Sequence, residues 1–162
     1  MKLTMLGTGN AVVTECYNTC FVLDDGGNRL MVDGGGGNAI LRQLKHAGYD
    51  WGDMRHIFVT HKHADHLLGV VWMVRMICQS MDHGTYQGEA WIYSHAEVLD
   101  LLRDMAAKLL KAREARLVDD RLHMVELTDG QTLDVIGHAT TFFDIGSSKA
   151  RQFGFSMHLG GG

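Results

Sequence analysis

Thr60-His61-Lys62-His63-Ala64-Asp65-His66 follows directly on the apolar run Ile57-Phe58-Val59. It packs three imidazoles and one carboxylate into residues 61–66. Core packing does not require such a cluster, but metal ligation does. Imidazole nitrogen and carboxylate oxygen are the donors a zinc-like ion takes. In an extended segment alternate side chains point the same way, so His61 and His63 can grip one ion. The chain then turns toward a helical pattern that starts near Leu67. At that turn Asp65 and His66 diverge from the first pair and can face a second ion. One short loop therefore carries half the ligands of a two-metal hydrolytic centre.

The flanking chain predicts a mixed α+β or α/β domain. Strands are expected at Lys2–Leu6, Cys20–Leu23, Arg29–Val32, His56–Val59, Ala90–Tyr93, Leu122–Leu127, Thr132–Ile136, Thr140–Ile145 and Phe153–Leu159. Asp24-Asp25-Gly26-Gly27-Asn28 reads as a hairpin turn. Helices are expected from Asn38 to His46 with Asn38 as N-cap, over Leu67–Ile77, and over His95–Lys111. Strands outnumber helices, and hairpins mix with βα units, so the expected architecture is sheets covered by helices. No repeat or linker divides the chain, and residues 1–162 read as one domain.

Bulk composition narrows the classes. With 46% apolar and 21% charged residues the chain is globular and not disordered. A net charge of −4 argues against a broad nucleic-acid-binding surface. It leaves room for a nucleic-acid substrate held at a metal site. Cys16, Cys20 and Cys78 form no CxxC pair. An odd count behind a start with no leader pattern predicts reduced thiols and a cytoplasmic location. No apolar stretch reaches the ~20 residues that span a membrane.

His61-x-His63-x-Asp65-His66 resembles the signature of the metallo-β-lactamase superfamily, and most closely its ribonuclease Z-like branch. Leu6-Gly7-Thr8-Gly9 is similar to that branch's N-terminal loop, Asn18-Thr19-Cys20-Phe21 to its second strand, and Val32-Asp33-Gly34-Gly35 to its Asp-Gly turn. The resemblance implies an αββα sandwich, here incomplete, comprising the N-terminal part with the first sheet and its helices. It implies a metal-dependent hydrolase, phosphodiesterase-like, that uses metal-activated water. His61, His63, Asp65 and His66 would be ligands, Asp65 would also accept a proton, and Asp33 would orient a ligating histidine. The implied cofactor is Zn2+, one or two ions, with Mn2+ or Fe2+ as alternatives. A phosphodiester or RNA is the implied substrate.

The family site also needs a third histidine, which in these relatives follows the strand equivalent to Phe142–Ile145; here that position is Gly146. A bridging aspartate and a final histidine would lie beyond residue 162. The chain thus reads as the N-terminal portion of a longer enzyme. His138, His158 or a second chain could complete the ligand set, and a homodimer would cover the exposed sheet face. The competing reading is a catalytically inactive metal-binding or oligomerising fragment of the same fold. Gly160-Gly161-Gly162 reads as an added tail, or as a turn lacking its second strand.

Overall fold

The computed structural model describes residues 1–160. Gly161 and Gly162 lie outside the described residues. Among the described residues nine strands form two sheets. The first contains β1 (Lys2–Gly7), β2 (Cys20–Asp25), β3 (Asn28–Val32), β4 (His56–Phe58), β5 (Ala90–Ser94) and β6 (Leu122–Glu126), in that spatial order. β1, β2 and β3 pair antiparallel, whereas β3 to β6 pair parallel. The second is an antiparallel meander of β7 (Thr132–Val135), β8 (His138–Asp144) and β9 (Phe153–Met157). The sequence reading assigned only the first sheet and its helices to this chain; three strands of a second sheet are present as well.

Helices α1 (Ala39–His46), α2 (Ala64–Asp82), α3 (Ala96–Leu109) and the single turn α4 (Ala112–Ala115) complete the chain. A short 3-10 turn at Trp51–Asp53 was not expected from sequence; the Asp50 side chain caps it by accepting from Gly52 N–H. α1 begins where predicted, but the Asn38 side chain makes no capping bond. α2 starts at Ala64, ahead of the expected Leu67, and runs past Ile77 to Asp82. Asp65 and His66 are therefore in its first turn.

Period-two alternation sorts the strand residues into two cores. On the parallel strands Met31, Ile57 and Ile92 face the helices, while Leu30, Val32, Phe58 and Tyr93 face the second sheet. α2 closes the helical side with Leu67, Val70, Met73, Val74, Ile77, Cys78 and Met81, all buried. Each fully buried aliphatic side chain contributes about 1.5–3 kcal/mol. Between the sheets Phe58 meets Phe142 and Phe155, with ring centroids 5.1 and 5.5 Å away. The sandwich is uncovered toward β1. Leu3 and Met5 pair with Leu23 and Phe21 on the inter-sheet side, yet stay 56% and 44% exposed.

Two tight hairpins fix register. Gly26 and Gly27 join β2 to β3, both at positive φ, as predicted. Ile136-Gly137 joins β7 to β8 in the same way, with Ile136 at φ 52°. Burial of Ile136 in the inter-sheet core offsets that backbone cost.

Candidate metal centre

In an open sheet the carboxyl ends of the parallel strands are where ligands bind. Here the ends of β3, β4 and β5 deliver Asp33, Thr60–His66 and His95. Asp33 has φ 59°, uncommon for a side-chain-bearing residue. Its N–H donates to the Phe58 carbonyl at 2.8 Å, which ties the turn to β4. Its carboxylate is buried, and three donors satisfy it. Thr60 N–H donates to Oδ1 at 2.8 Å, while the Thr60 hydroxyl and His66 Nδ1 donate to Oδ2 at 2.8 and 2.7 Å. The expected pairing of Asp33 with a histidine of the motif is thus present in the geometry.

His63 occupies the N-cap position of α2. Asp65 follows in the first turn, where the helix dipole favours negative charge. His61 Nε2 lies 3.0 Å from His63 Nδ1, and His66 Nε2 lies 3.4 Å from Asp65 Oδ2. The His61 and His66 rings are 4.2 Å apart between centroids, so the two pairs adjoin. Burial, reinforced by the charge of His66, holds the His61 pKa below the ordinary imidazole range. Burial also opposes protonation of His66. There the Asp33 hydrogen bond and the charges of Asp33 and Asp65 together outweigh it, and the net shift is upward.

Glycines let the neighbouring segments close around this loop. The amides of Gly34, Gly36 and Gly37 donate to His66 O, Asn18 Oδ1 and the Tyr17 hydroxyl. The run from Gly34 to Gly37 is therefore a packing turn against α2, not a phosphate cradle. Sequence reasoning passed over Tyr17, whose hydroxyl lies 2.7 and 2.8 Å from the Gly34 and Gly37 carbonyls and donates its one proton to either of them. It also passed over Thr60 as a working side chain. Only its place between β4 and the histidine motif hinted at it.

Other histidines stay apart. His138 and His158 were alternatives for completing the set, but His138 Nε2 pairs with Asp25 at 2.8 Å and its Nδ1 faces the His158 carbonyl. His138 opens β8, whereas Asp144 closes it beside the metal loop. Six steps at ~3.3 Å separate these ends by about 20 Å. Neither histidine can reach the cluster without refolding. His95 is fully buried, with neither ring nitrogen hydrogen-bonded and its ring 5.4 Å from Phe153. Gly146, where the third histidine was expected, sits at φ 66° facing open space.

Among the described residues no group of three or more His, Cys, Asp or Glu side chains is arranged around one ion position. The donor set nevertheless fits divalent metal as two pairs. His66 gives its Nδ1 proton to Asp33, so in the neutral ring Nε2 presents a lone pair to Asp65 Oδ2. Two acceptors that face each other with no proton between them suit a cation. A catalytic zinc takes three protein ligands, and each pair is one short.

Comparison with known proteins identifies the family and the fold. A family model described as "Anti-Pycsar protein Apyc1" matches residues 1–157. Ribonuclease Z of Bradyrhizobium diazoefficiens is 29% identical over 156 residues, spanning 94% of this chain and 48% of that protein. The chain thus spans about half the length of that relative. Human tRNase Z, short form, superposes with a TM-score of 0.71 at 21% identity, over 98% of this chain and 64% of that one. A diphosphatase of the PhnP family gives 0.72 at 15% identity, over 96% and 61%. The fold is that of the metallo-β-lactamases, ribonuclease Z-like in sequence, and the chain belongs to the anti-Pycsar protein Apyc1 family.

Proposed function

We propose that this chain supplies the first four metal ligands of a divalent-metal-dependent phosphodiester hydrolase. The carrying observation is the pairing of donor atoms. His61 Nε2 with His63 Nδ1, and Asp65 Oδ2 with His66 Nε2, converge in adjoining pairs behind one buried carboxylate. These four residues would hold the metal, Zn2+ by donor type, with Mn2+ or Fe2+ as alternatives. A bound divalent ion supplies Lewis-acid polarisation of a phosphoryl oxygen and a more acidic water. Asp33 holds the ring of His66. Asp65 carries the oxygen placed to accept a proton. The relatives named ribonuclease Z and tRNase Z support a phosphodiester substrate, which in their case is RNA.

Gly146 favours a second reading, a metal-binding or oligomerising module without turnover. In either case a second copy is the proposed partner. Leu3 and Met5 on β1, Phe143 on the outer face of β8, and Ile145 just after that strand are the apolar residues it would cover. No helix among the described residues is long and apolar enough to cross a membrane. Hydrolysis of bis(p-nitrophenyl) phosphate with added zinc or manganese tests the enzyme reading. Metal-dependent turnover that disappears in His63→Ala supports it. Metal binding without turnover supports the inactive module.

A further inference from the structure

Thr60 has a single hydroxyl proton, and the geometry fixes where it goes. The Asp33 carboxylate has only acceptor atoms, so the Thr60 hydroxyl must donate to Oδ2, 2.8 Å away. That spends the proton. The other neighbour of Thr60 Oγ1 is His61 Nδ1, also at 2.8 Å, so there the hydroxyl accepts and His61 Nδ1 carries the hydrogen. His66 Nδ1 donates to the same Asp33 oxygen at 2.7 Å. Both rings are then left with a bare Nε2, the atom each turns toward its partner in the ligand pairs.

Resting on the metal-ligand reading above, we propose that Thr60 is a positioning residue. Its hydroxyl passes the hydrogen-bond order of Asp33 on to His61, so one buried carboxylate sets the ring tautomer of a histidine in each pair. The relay has a corollary at His63. With His61 Nε2 bare, the 3.0 Å contact to His63 Nδ1 is a hydrogen bond in the metal-free protein only if His63 carries its proton on Nδ1. Ligation through that atom requires the proton to move to Nε2. Metal uptake therefore changes the tautomer of His63 and leaves those of His61 and His66 as they are.

Nitrogen-15 chemical shifts of the histidine rings, read by long-range proton–nitrogen correlation in the metal-free chain, test this directly. The spectra are read on the alkaline plateau of each ring's own titration, where the signals report tautomer alone. His61, His63 and His66 are expected as Nδ1–H in the wild type. In Thr60→Ser, which keeps the hydroxyl, the pattern is retained. In Thr60→Val, which loses it, His61 leaves the Nδ1–H form while His66 keeps it. In Asp33→Asn both change. Zinc affinity of Thr60→Val falls by roughly 10- to 100-fold, as for other groups that orient a metal ligand, and Ser restores it.

An Nε2–H tautomer at His61 in the wild type overturns the proposal without any variant, as does an unchanged His61 in a folded Thr60→Val. The metal reading fails separately. In that case the tautomers are as stated, but zinc shifts none of the three rings.

Discussion

Gly34 and Gly69 meet backbone to backbone. Gly34 N–H donates to His66 O and Gly69 N–H to Gly35 O, each at 2.8 Å. A β-carbon on Gly69 would overlap the Gly34 carbonyl, and one on Gly34 would overlap the α2 backbone at Gly69 and Val70. This contact sets the height of the first turn of α2, and with it Asp65 and His66. Gly69→Ala is expected to cost about 1–3 kcal/mol through overpacking. Gly37→Ala, which faces open space at an ordinary φ, should stay within about 0.5 kcal/mol of the parent. Urea unfolding of the two variants checks the contrast.

Phe58 ties the sheets together. It is fully buried on the last position of β4 and packs tilted against Phe142 and edge-on against Phe155 of the second sheet. Phe58→Ala removes the ring from both contacts and should cost about 3–5 kcal/mol. Leu3→Ala, at a site 56% exposed, should change little in dilute protein. Thermal unfolding of both variants measures the difference.

The histidine cluster was legible because its members are adjacent in sequence. The spacing of His61 and His63 and the turn before Asp65 predicted which side chains adjoin, and His61 lies against His63 and Asp65 against His66. The start of α2 was misplaced because Ala64, Asp65 and His66 interrupt the apolar pattern, although an acidic residue in a first turn is itself a helix-start signal. The bond from Thr60 to Asp33 was not legible, since Asp33 lies 27 residues earlier in sequence and is brought alongside by β3–β4 pairing. His138 and His158 illustrate the converse. Composition made them candidates, and strand direction put them at the far end of the second sheet. The expected strands left residues 137–139 between β7 and β8, whereas the turn falls at Ile136-Gly137, which lacks the usual Asn-Gly or Asp-Gly signal.

Acid should weaken the metal-free fold. Burial holds His56, His61 and His95 below the ordinary pKa of 6.5. A depressed histidine pKa means that the folded state prefers the neutral ring. Its contribution is complete above about 6.5 and is lost as pH falls through that value toward the lowered one. His66, shifted upward, contributes with the opposite sign, present at low pH and lost as pH rises. His56, His61 and His95 thus each lower the unfolding free energy as pH falls below about 6.5, and His66 opposes them. His95→Leu should flatten that slope and sacrifice no hydrogen bond, because neither ring nitrogen has a partner. Denaturant titrations across the range, in wild type and variant, read the two slopes.

Asp33→Asn should destabilise the chain even without metal. The carboxylate satisfies three buried donors. An amide presents one acceptor oxygen and turns its NH2 toward donors on the other side. Leaving such groups unpaired costs about 1–3 kcal/mol. Chemical denaturation in the presence of a chelator isolates this structural cost from any loss of ligation.

Zinc binding by equilibrium dialysis, with the mass of the protein in solution measured on the same samples, tests the paired-donor account most directly. The account predicts about one tightly held ion or fewer per chain, in a dimer or larger assembly, because each pair lacks a third protein ligand. It also predicts that His63→Ala weakens retention at least ~10-fold. A monomer holding two stoichiometric ions, or zinc retention unchanged by His63→Ala, would contradict it.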